Sequence, residues 1–292
     1  MIDQNQISRL LEFLSGSEQI FFLFSKNQQP DLILSILANY LFFEDLVSLN
    51  KSKLKLKKAV VFSPNKYSNC LKQFSEVETY LKQNNLLSII QHDLGRENLL
   101  ITFPYKKNQV DKVSYHIDDK SKRFYLTIKP KKGVTPLNQK AVEFSYVGSS
   151  ADLLILFGVN DLQDLKKLYF NHEELYQNTS LITMNTFLPD FGTLNLDISG
   201  SSGYGEATFY LIKSLSNFLE IELSSLEHIE QISTLLLTSI ALKTEKFSSK
   251  QTTSSTYLAI AELLQLGAKR LEFNKNKTVK RKKSTVKKTK NR

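Results

Sequence analysis

Ile7, Leu10, Leu11 and Leu14 fall at helical spacing, so the chain is expected to open with an amphipathic helix. A short apolar strand follows at Gln19 to Phe24. After Pro30 the set Ile33, Ile36, Leu37, Tyr40 and Leu41 repeats at three and four residues, which predicts a second helix with Pro30 near its first turn. Lys58 to Phe62 reads as the next strand, and strand, helix, strand opens a parallel α/β sheet. From Leu99 the period changes. Leu99 to Phe103, Val110 to Ile117 and Phe124 to Ile128 alternate or favour β-branched and aromatic residues, with Asp118-Asp119-Lys120-Ser121 as a turn, so Leu99 to Tyr146 is expected to be an antiparallel β insertion.

The α/β pattern resumes at Asp152, with a buried strand at Leu153 to Phe157, a helix over Leu162 to Tyr176 and a strand at Ser180 to Met184. Helices are expected thereafter: Glu206 to Leu219, then one that follows a Ser224-x-x-Glu227 capping box and runs through Ile240, then Ser254 to Leu266 with Gly267 as its C-terminal cap. Past Phe273 the chain is Asn, Lys, Thr, Arg and Ser with two Val, too little apolar surface to offset the entropy of ordering. The expected fold class is α/β, a parallel sheet flanked by helices. One domain spans 1–270 and carries the insertion at 99–146, and a disordered basic tail spans 271–292.

Composition refines this picture in three places. With 41% apolar residues in 292, the chain can bury a sizeable core. The net charge of +10 is concentrated: Lys269 to Arg292 holds twelve basic residues and one acidic, leaving 27 basic and 28 acidic before it. Lys280, Arg281, Lys282, Lys283, Lys287 and Lys288 are therefore candidate contacts to RNA or DNA, of a kind that reads no sequence and weakens with salt. A solvated, solubilising tail is the equal alternative. Cys70 is the one cysteine, which excludes an internal disulfide and fits a reducing compartment. No basic n-region precedes the short run Ile20 to Phe24, and no segment is expected to reach the roughly 20 apolar residues of a membrane helix, so the cytoplasm is the expected location and no membrane partner is expected.

Several stretches carry a family likeness. Leu153-Leu154-Ile155-Leu156-Phe157 runs into Gly158-Val159-Asn160-Asp161. Then come Ile182-Thr183-Met184-Asn185-Thr186-Phe187, Phe191-Gly192-Thr193-Leu194-Asn195, Ser201-Ser202 with Glu206, Thr238-Ser239-Ile240 leading to Lys243-Thr244 and Phe247, and Gly267-Ala268. In order and spacing this resembles the DHH phosphoesterase superfamily, in its branch of nano-RNases, oligoribonucleases and single-strand exonucleases. The resemblance covers Asp152 to Arg270, extends less closely over Ile20 to Phe62, and does not reach the β insertion.

The resemblance implies two metal ions, usually manganese, held by Asp and His at the C-terminal ends of parallel strands, where they activate water and clamp phosphate. Hard cations need oxygen and imidazole donors there. The matching positions lack them. Of a His, Pro-Asp-x-Asp and Ser motif, Ser25 to Ser35 keeps Asp31 alone; Gly158 and its neighbours stand where an Asp should close the central strand; Asn185-Thr186-Phe187 aligns with Asp-His-His; and Lys243 precedes Thr244 where an Asp is expected. An ammonium at that place repels a divalent ion. The family's C-terminal substrate-binding domain, with its Gly-Gly-Gly-His motif, is not found in the 24 residues after Ala268.

His92, His116, His172 and His228 lie away from these motifs and are expected to be structural, and Asp161 to be a helix cap. Ser201 and Ser202, with Gly203 and Gly205, are either a helix cap or a phosphate cradle. No metal site or cofactor is expected, and no protein partner is identified. Three functional readings stay open: a non-catalytic phosphoesterase relative that binds or scaffolds, its tail on RNA or DNA; an active metal-dependent hydrolase of short oligonucleotides or nucleotide phosphates, with Asp31, Asp152, Asp161 and Asp197 in an altered site; or a tail that alone carries the function, as a nucleic-acid or ribosome-associated arm.

Overall fold

A computed structural model describes residues 2–272 apart from 26–28, 50–52, 66–67, 95–97, 106–108, 136, 148–149 and 171. The six basic candidates between Lys280 and Lys288, and with them the expected disorder of the tail, lie outside the described residues. The chain divides into two compact units, Met1–Asp93 with Ala151–Arg292, and Leu94–Ser150.

In the first unit the strands are β1 (Gln19–Phe24), β2 (Lys58–Phe62) and β3 (Ile90–Gln91), and in the second β4 (Asn98–Thr102), β5 (Val110–Asp118), β6 (Arg123–Pro130) and β7 (Glu143–Val147). The first unit resumes with β8 (Leu153–Phe157), β9 (Ser180–Asn185) and β10 (Leu194–Asp197). Its helices are α1 (Gln4–Gly16), α2 (Pro30–Leu49), α3 (Ser68–Leu71), α4 (Ser75–Gln83), α5 (Lys167–Phe170), α6 (Glu173–Asn178), α7 (Tyr204–Phe218), α8 (Ile229–Lys243) and α9 (Ser254–Gln265). The six strands of this unit form one sheet in the order β10-β9-β8-β1-β2-β3, all parallel. The order runs outward one way from β1 and the other way from β8. The order reverses between those two strands, and in open α/β sheets the crevice outside the C-terminal ends of such strands is where ligands bind.

β1 and β8 are central, and their side chains are buried on both faces, which explains why each is an unbroken apolar run rather than an alternating one. Phe22 packs edge-on against Phe43 of α2, ring centroids 5.2 Å apart. α2 is 20 residues long and, contrary to the expectation from sequence, apolar enough to cross a membrane by length and composition. Its apolarity comes from burial on nearly every side, against the sheet and against α7 and α8. The α2–α8 contact is a seam of small polar residues. Ser35 Oγ and Ser239 Oγ both donate to the Asp31 carbonyl, at 2.6 and 2.8 Å, and Asn39 bridges from Ser35 to Thr208. Gly205 lets α7 approach this seam, since a Cβ there would lie 2.5 Å from Ser239 Oγ and 3.0 Å from the Ile240 backbone nitrogen.

Two local expectations fail, both because local pattern is overridden by geometry. The single helix expected over Leu162 to Tyr176 is broken. Asp161 caps a 3-10 turn at Leu162–Leu165 by accepting from the Gln163 N–H, Lys166 then turns with φ at +51°, and α5 and α6 restart separately. The capping box at Ser224 and Glu227 does not form, because Leu223–Ser225 is itself a 3-10 turn and Ser224 Oγ donates to Glu222. α8 starts after His228, whose backbone N–H and Nδ1 reach Asp45 near the end of α2, at 3.1 and 2.6 Å. A buried carboxylate from a distant helix therefore caps α8. The stop at Gly267 holds: with φ at +91°, its N–H donates to the Leu264 carbonyl and that of Ala268 to Leu263, the paired bonds of a left-handed helix end.

The second unit consists of the antiparallel pair β4–β7 and the antiparallel hairpin β5–β6. Asp118 makes the hairpin turn, accepting from the Lys120 and Ser121 N–H groups and from Ser121 Oγ.

Replacing Asp45 by Ala leaves the half-buried His228 N–H without its acceptor and is expected to cost about 1–3 kcal/mol in urea unfolding, whereas Ser224→Ala should stay within about 0.5 kcal/mol of the parent. Equal losses would return the cap to Ser224.

Candidate functional site

The crevice is assembled from strand ends and helix starts. Beyond β1 the Ser25 N–H donates to the Phe157 carbonyl, and the chain enters α2, which places Asp31 in its first turn. β8 ends at Gly158, with φ at +61° and its N–H on the Met184 carbonyl of β9. A Cβ at 158 would meet Leu32 Cδ1 at 2.6 Å and the Tyr204 hydroxyl at 3.0 Å. A side chain at 158 would thus need a left-handed backbone and a shift of the tips of Leu32 and Tyr204.

Asp31 is the carboxylate at this point of the crevice. It is 3% exposed, and the backbone N–H groups of Asp31 itself, Leu32 and Tyr204, at the starts of α2 and α7, favour its charged form. Lys243, at the end of α8, holds its ammonium 4.0 Å from Asp31 Oδ2, near enough to attract and too far to hydrogen-bond, and donates instead to Gln29 Oε1 at 3.1 Å. Its aliphatic stem lies over Gly203, where a Cβ would come within 2.6 Å of Lys243 Cγ. Burial nevertheless pushes the Asp31 carboxyl above its ordinary value of 3.8, against the pull of Lys243 and the three amides. The Tyr204 phenol is pushed up as well, first by burial and then by the Asp31 charge. Among the described residues, Asp31 Oδ2 has no hydrogen-bond donor.

The other positions singled out from sequence are distributed as follows. Asn185 ends β9 buried, its Nδ2 on the Val159 carbonyl at 2.9 Å and its Oδ1 without a donor. Thr186 and Phe187 face solvent. The Ser201 N–H donates to the Ile198 carbonyl and the Ser202 N–H to Glu206 Oε2. Glu206, 1% exposed, also accepts from Ser255 Oγ and Thr256 Oγ1. Burial works against its charge, but these hydrogen bonds outweigh it and hold the carboxyl below its usual range. The Ser-Ser-x-x-x-Glu pattern thus ties the start of α7 to the start of α9.

Asp152, Asp161 and Asp197 do not join Asp31. Asp152 precedes β8 and accepts from the Glu18 and Gln19 N–H groups at the opposite, N-terminal end of the strands, roughly 16 Å away along a five-residue strand. Asp161 caps its 3-10 turn, and Asp197 accepts from the Ser199 N–H, the main cause holding its carboxyl low. No histidine reaches the crevice among the described residues. His92 lies against the Ser63 carbonyl, His116 is on the β5–β6 hairpin, His172 starts α6 and His228 pairs with Asp45. Among the described residues, Asp45, Glu227 and His228 are the one set of carboxylate and imidazole atoms close enough together to share an ion. They sit at the far end of α2 from Asp31, roughly 20 Å along the helix. Both Asp45 oxygens are already engaged there.

Sequence reasoning missed Gln29, Leu32 and Tyr204. Each lies close to a motif position in the chain, but their roles come from the crossing of α2, α7 and α8, which no local pattern reports.

No family model matches the sequence, and no curated protein matches it. Among solved structures the chain is similar to an exopolyphosphatase-related protein from Bacteroides fragilis, with a TM-score of 0.52 and 16% identity over 92% of this chain and 58% of that one. The chain thus spans under two thirds of that protein's length. At this identity the likeness is one of fold alone.

Proposed function

We propose that the chain is a degenerate relative of the DHH phosphoesterases that binds a ligand at the β1–β8 crevice without two-metal hydrolysis, and that its basic tail contacts RNA or DNA in the cytoplasm. The observation that carries this reading is the ammonium of Lys243 4.0 Å from Asp31 Oδ2. A two-manganese centre needs several carboxylate and imidazole donors converging on the pair. The described residues offer one carboxylate, held in a seat made positive by two helix starts and a lysine. These residues do not fit such a centre.

They do fit a binding site. Among the described residues, Asp31 Oδ2 and Asn185 Oδ1 are buried acceptors without donors, and Lys243 is a half-exposed cation beside Asp31, so the ligand suited to these groups carries hydroxyl or amino donors and a negative charge. Charge distribution supports separate sites for the ligand and for nucleic acid. Residues 94–150 hold eleven basic and five acidic residues, so 1–93 with 151–268 hold sixteen basic and 23 acidic, a net of −7. A polyanion is repelled by that body and drawn to the tail.

The competing reading, an active hydrolase, draws on the raised Asp31 carboxyl, a group suited to exchange protons. Incubation with Mn2+ and a dinucleotide or a 3',5'-bisphosphate separates the two: no turnover is expected, and turnover abolished by Asp31→Asn would overturn the binding reading.

A titration follows from the raised carboxyl. The folded chain holds the Asp31 proton more tightly than the unfolded chain does, so ionised Asp31 weakens the fold as pH rises above 3.8. Asp31→Asn is therefore expected to raise the melting temperature at pH 7 relative to the parent, with the gain shrinking as the pH is lowered toward 3.8. A variant less stable than the parent at pH 7 would show that the amides and Lys243 outweigh burial.

For the tail, replacing Lys280, Arg281, Lys282 and Lys283 by Gln should flatten the dependence of log affinity on log salt by about 3 for single-stranded RNA, measured by anisotropy at several salt concentrations. An unchanged slope would leave the tail as a solubilising segment.

A further inference from the structure

The β5–β6 hairpin sorts its side chains by face. Neighbours along a strand alternate, and residues directly opposed in an antiparallel pair share a face. The register Val113↔Ile128, Tyr115↔Leu126 and Ile117↔Phe124 places six apolar side chains together. The intervening pairs, Lys112↔Lys129, Ser114↔Thr127, His116↔Tyr125 and Asp118↔Arg123, place the polar and charged residues on the other side. The ring geometry agrees: Tyr115 stacks on Phe124 at 5.5 Å and 15°, and His116 on Tyr125 at 6.1 Å and 25°, each pair within one face. The apolar face is open. Val113, Tyr115, Ile117, Phe124 and Leu126 are 57, 70, 56, 63 and 44% exposed.

Such a face is costly to leave in water. A two-stranded hairpin alone is at best marginally stable, and it is made durable by a further layer on its apolar side. A surface helix or strand that merely solubilises would carry charge on this face, as edge strands commonly do, and here it carries none.

We propose that the apolar face of β5–β6 is a dimer interface, packed against the same face of a second copy of this chain across a twofold axis. Three observations select a second copy. The face is self-complementary, because the central pair Tyr115 and Leu126 and the flanking pairs are apolar throughout, so a twofold rotation matches apolar to apolar along the whole strand. Its exposed side chains amount to on the order of 600 Å² per copy, or roughly 1,200 Å² for two, which clears the minimum expected of a specific interface. Lys112, Lys129 and Arg123 lie on the opposite face, so pairing two basic units brings no charge into the contact. Nucleic acid is the other occupant that the +6 charge of 94–150 would attract, but the apolar face offers its phosphates no cation.

Sedimentation velocity on the full chain at micromolar concentration tests the assignment. The parent is expected to sediment at twice the chain mass, and Leu126→Lys, which buries a charge at the centre of the face, to weaken the dimer at least a hundredfold. Lys129→Gln, on the polar face, should leave it intact. Because Leu126→Lys could disturb the hairpin itself, the double variant Ile117→Ala and Leu126→Ala removes apolar area without adding charge and is expected to weaken association at least tenfold. A monomeric parent, or a dimer indifferent to both face variants, overturns the proposal. So does a monomeric parent whose affinity for single-stranded RNA falls in the face variants, which would assign the face to nucleic acid. None of these outcomes depends on the crevice.

Discussion

Two helices, α2 and α7, start at the crevice between β1 and β8, and both direct backbone N–H groups at one carboxylate, Asp31, with the Lys243 ammonium beside it. In a parallel α/β sheet this is the position where helix dipoles converge and where anions bind. Here an internal anion occupies the seat. The arrangement constrains much of the first unit. The Asp31 carbonyl anchors the serine seam between α2 and α8, Gly203 and Gly205 allow the Lys243 stem and Ser239 to approach α7, and Gly158 leaves room for Leu32 and Tyr204. Burial still wins over these attractions at the carboxyl itself, so the seat is electrostatically unsettled, as binding sites commonly are.

On the proposed reading, the departure from a two-metal centre is spread over several positions. At position 158 a carboxylate would need a left-handed backbone and the space of Leu32 and Tyr204; at 243 a cation stands beside the remaining acid; at 186 and 187 the side chains face solvent. The scaffold, by contrast, is fully supported: Glu206 is satisfied by three donors, and Asp45 caps α8 from across the core.

Much of the fold was legible in the sequence, for a physical reason. β1, β8, β9 and α2 are buried on all sides, so their apolar runs are long and unambiguous, and the caps at Asp161 and Gly267 are local chemistry. What was not legible depends on distant partners. β10, only four residues long, is defined by its pairing with β9; β7 by its pairing with β4; α4 has a single buried stripe at Val77 and Leu81. Ser224 and Glu227 satisfied a local rule, and Asp45, far away in the chain, took the role instead. At the site, Asp31 and Lys243 could be named from motif order, but that they face each other is a product of the α2–α8 crossing. The apparent neutrality of 1–268 likewise concealed an acidic body and a basic insertion, which only the division into units separates.

The central claim is that this crevice has exchanged a pair of cations for an internal ion pair. Titrating Mn2+ into the full chain while following the six-line resonance of the free ion tests it directly. The signal should fall no further with the parent than with Asp31→Asn. Loss of signal corresponding to two ions per chain, abolished by Asp31→Asn, would contradict the account.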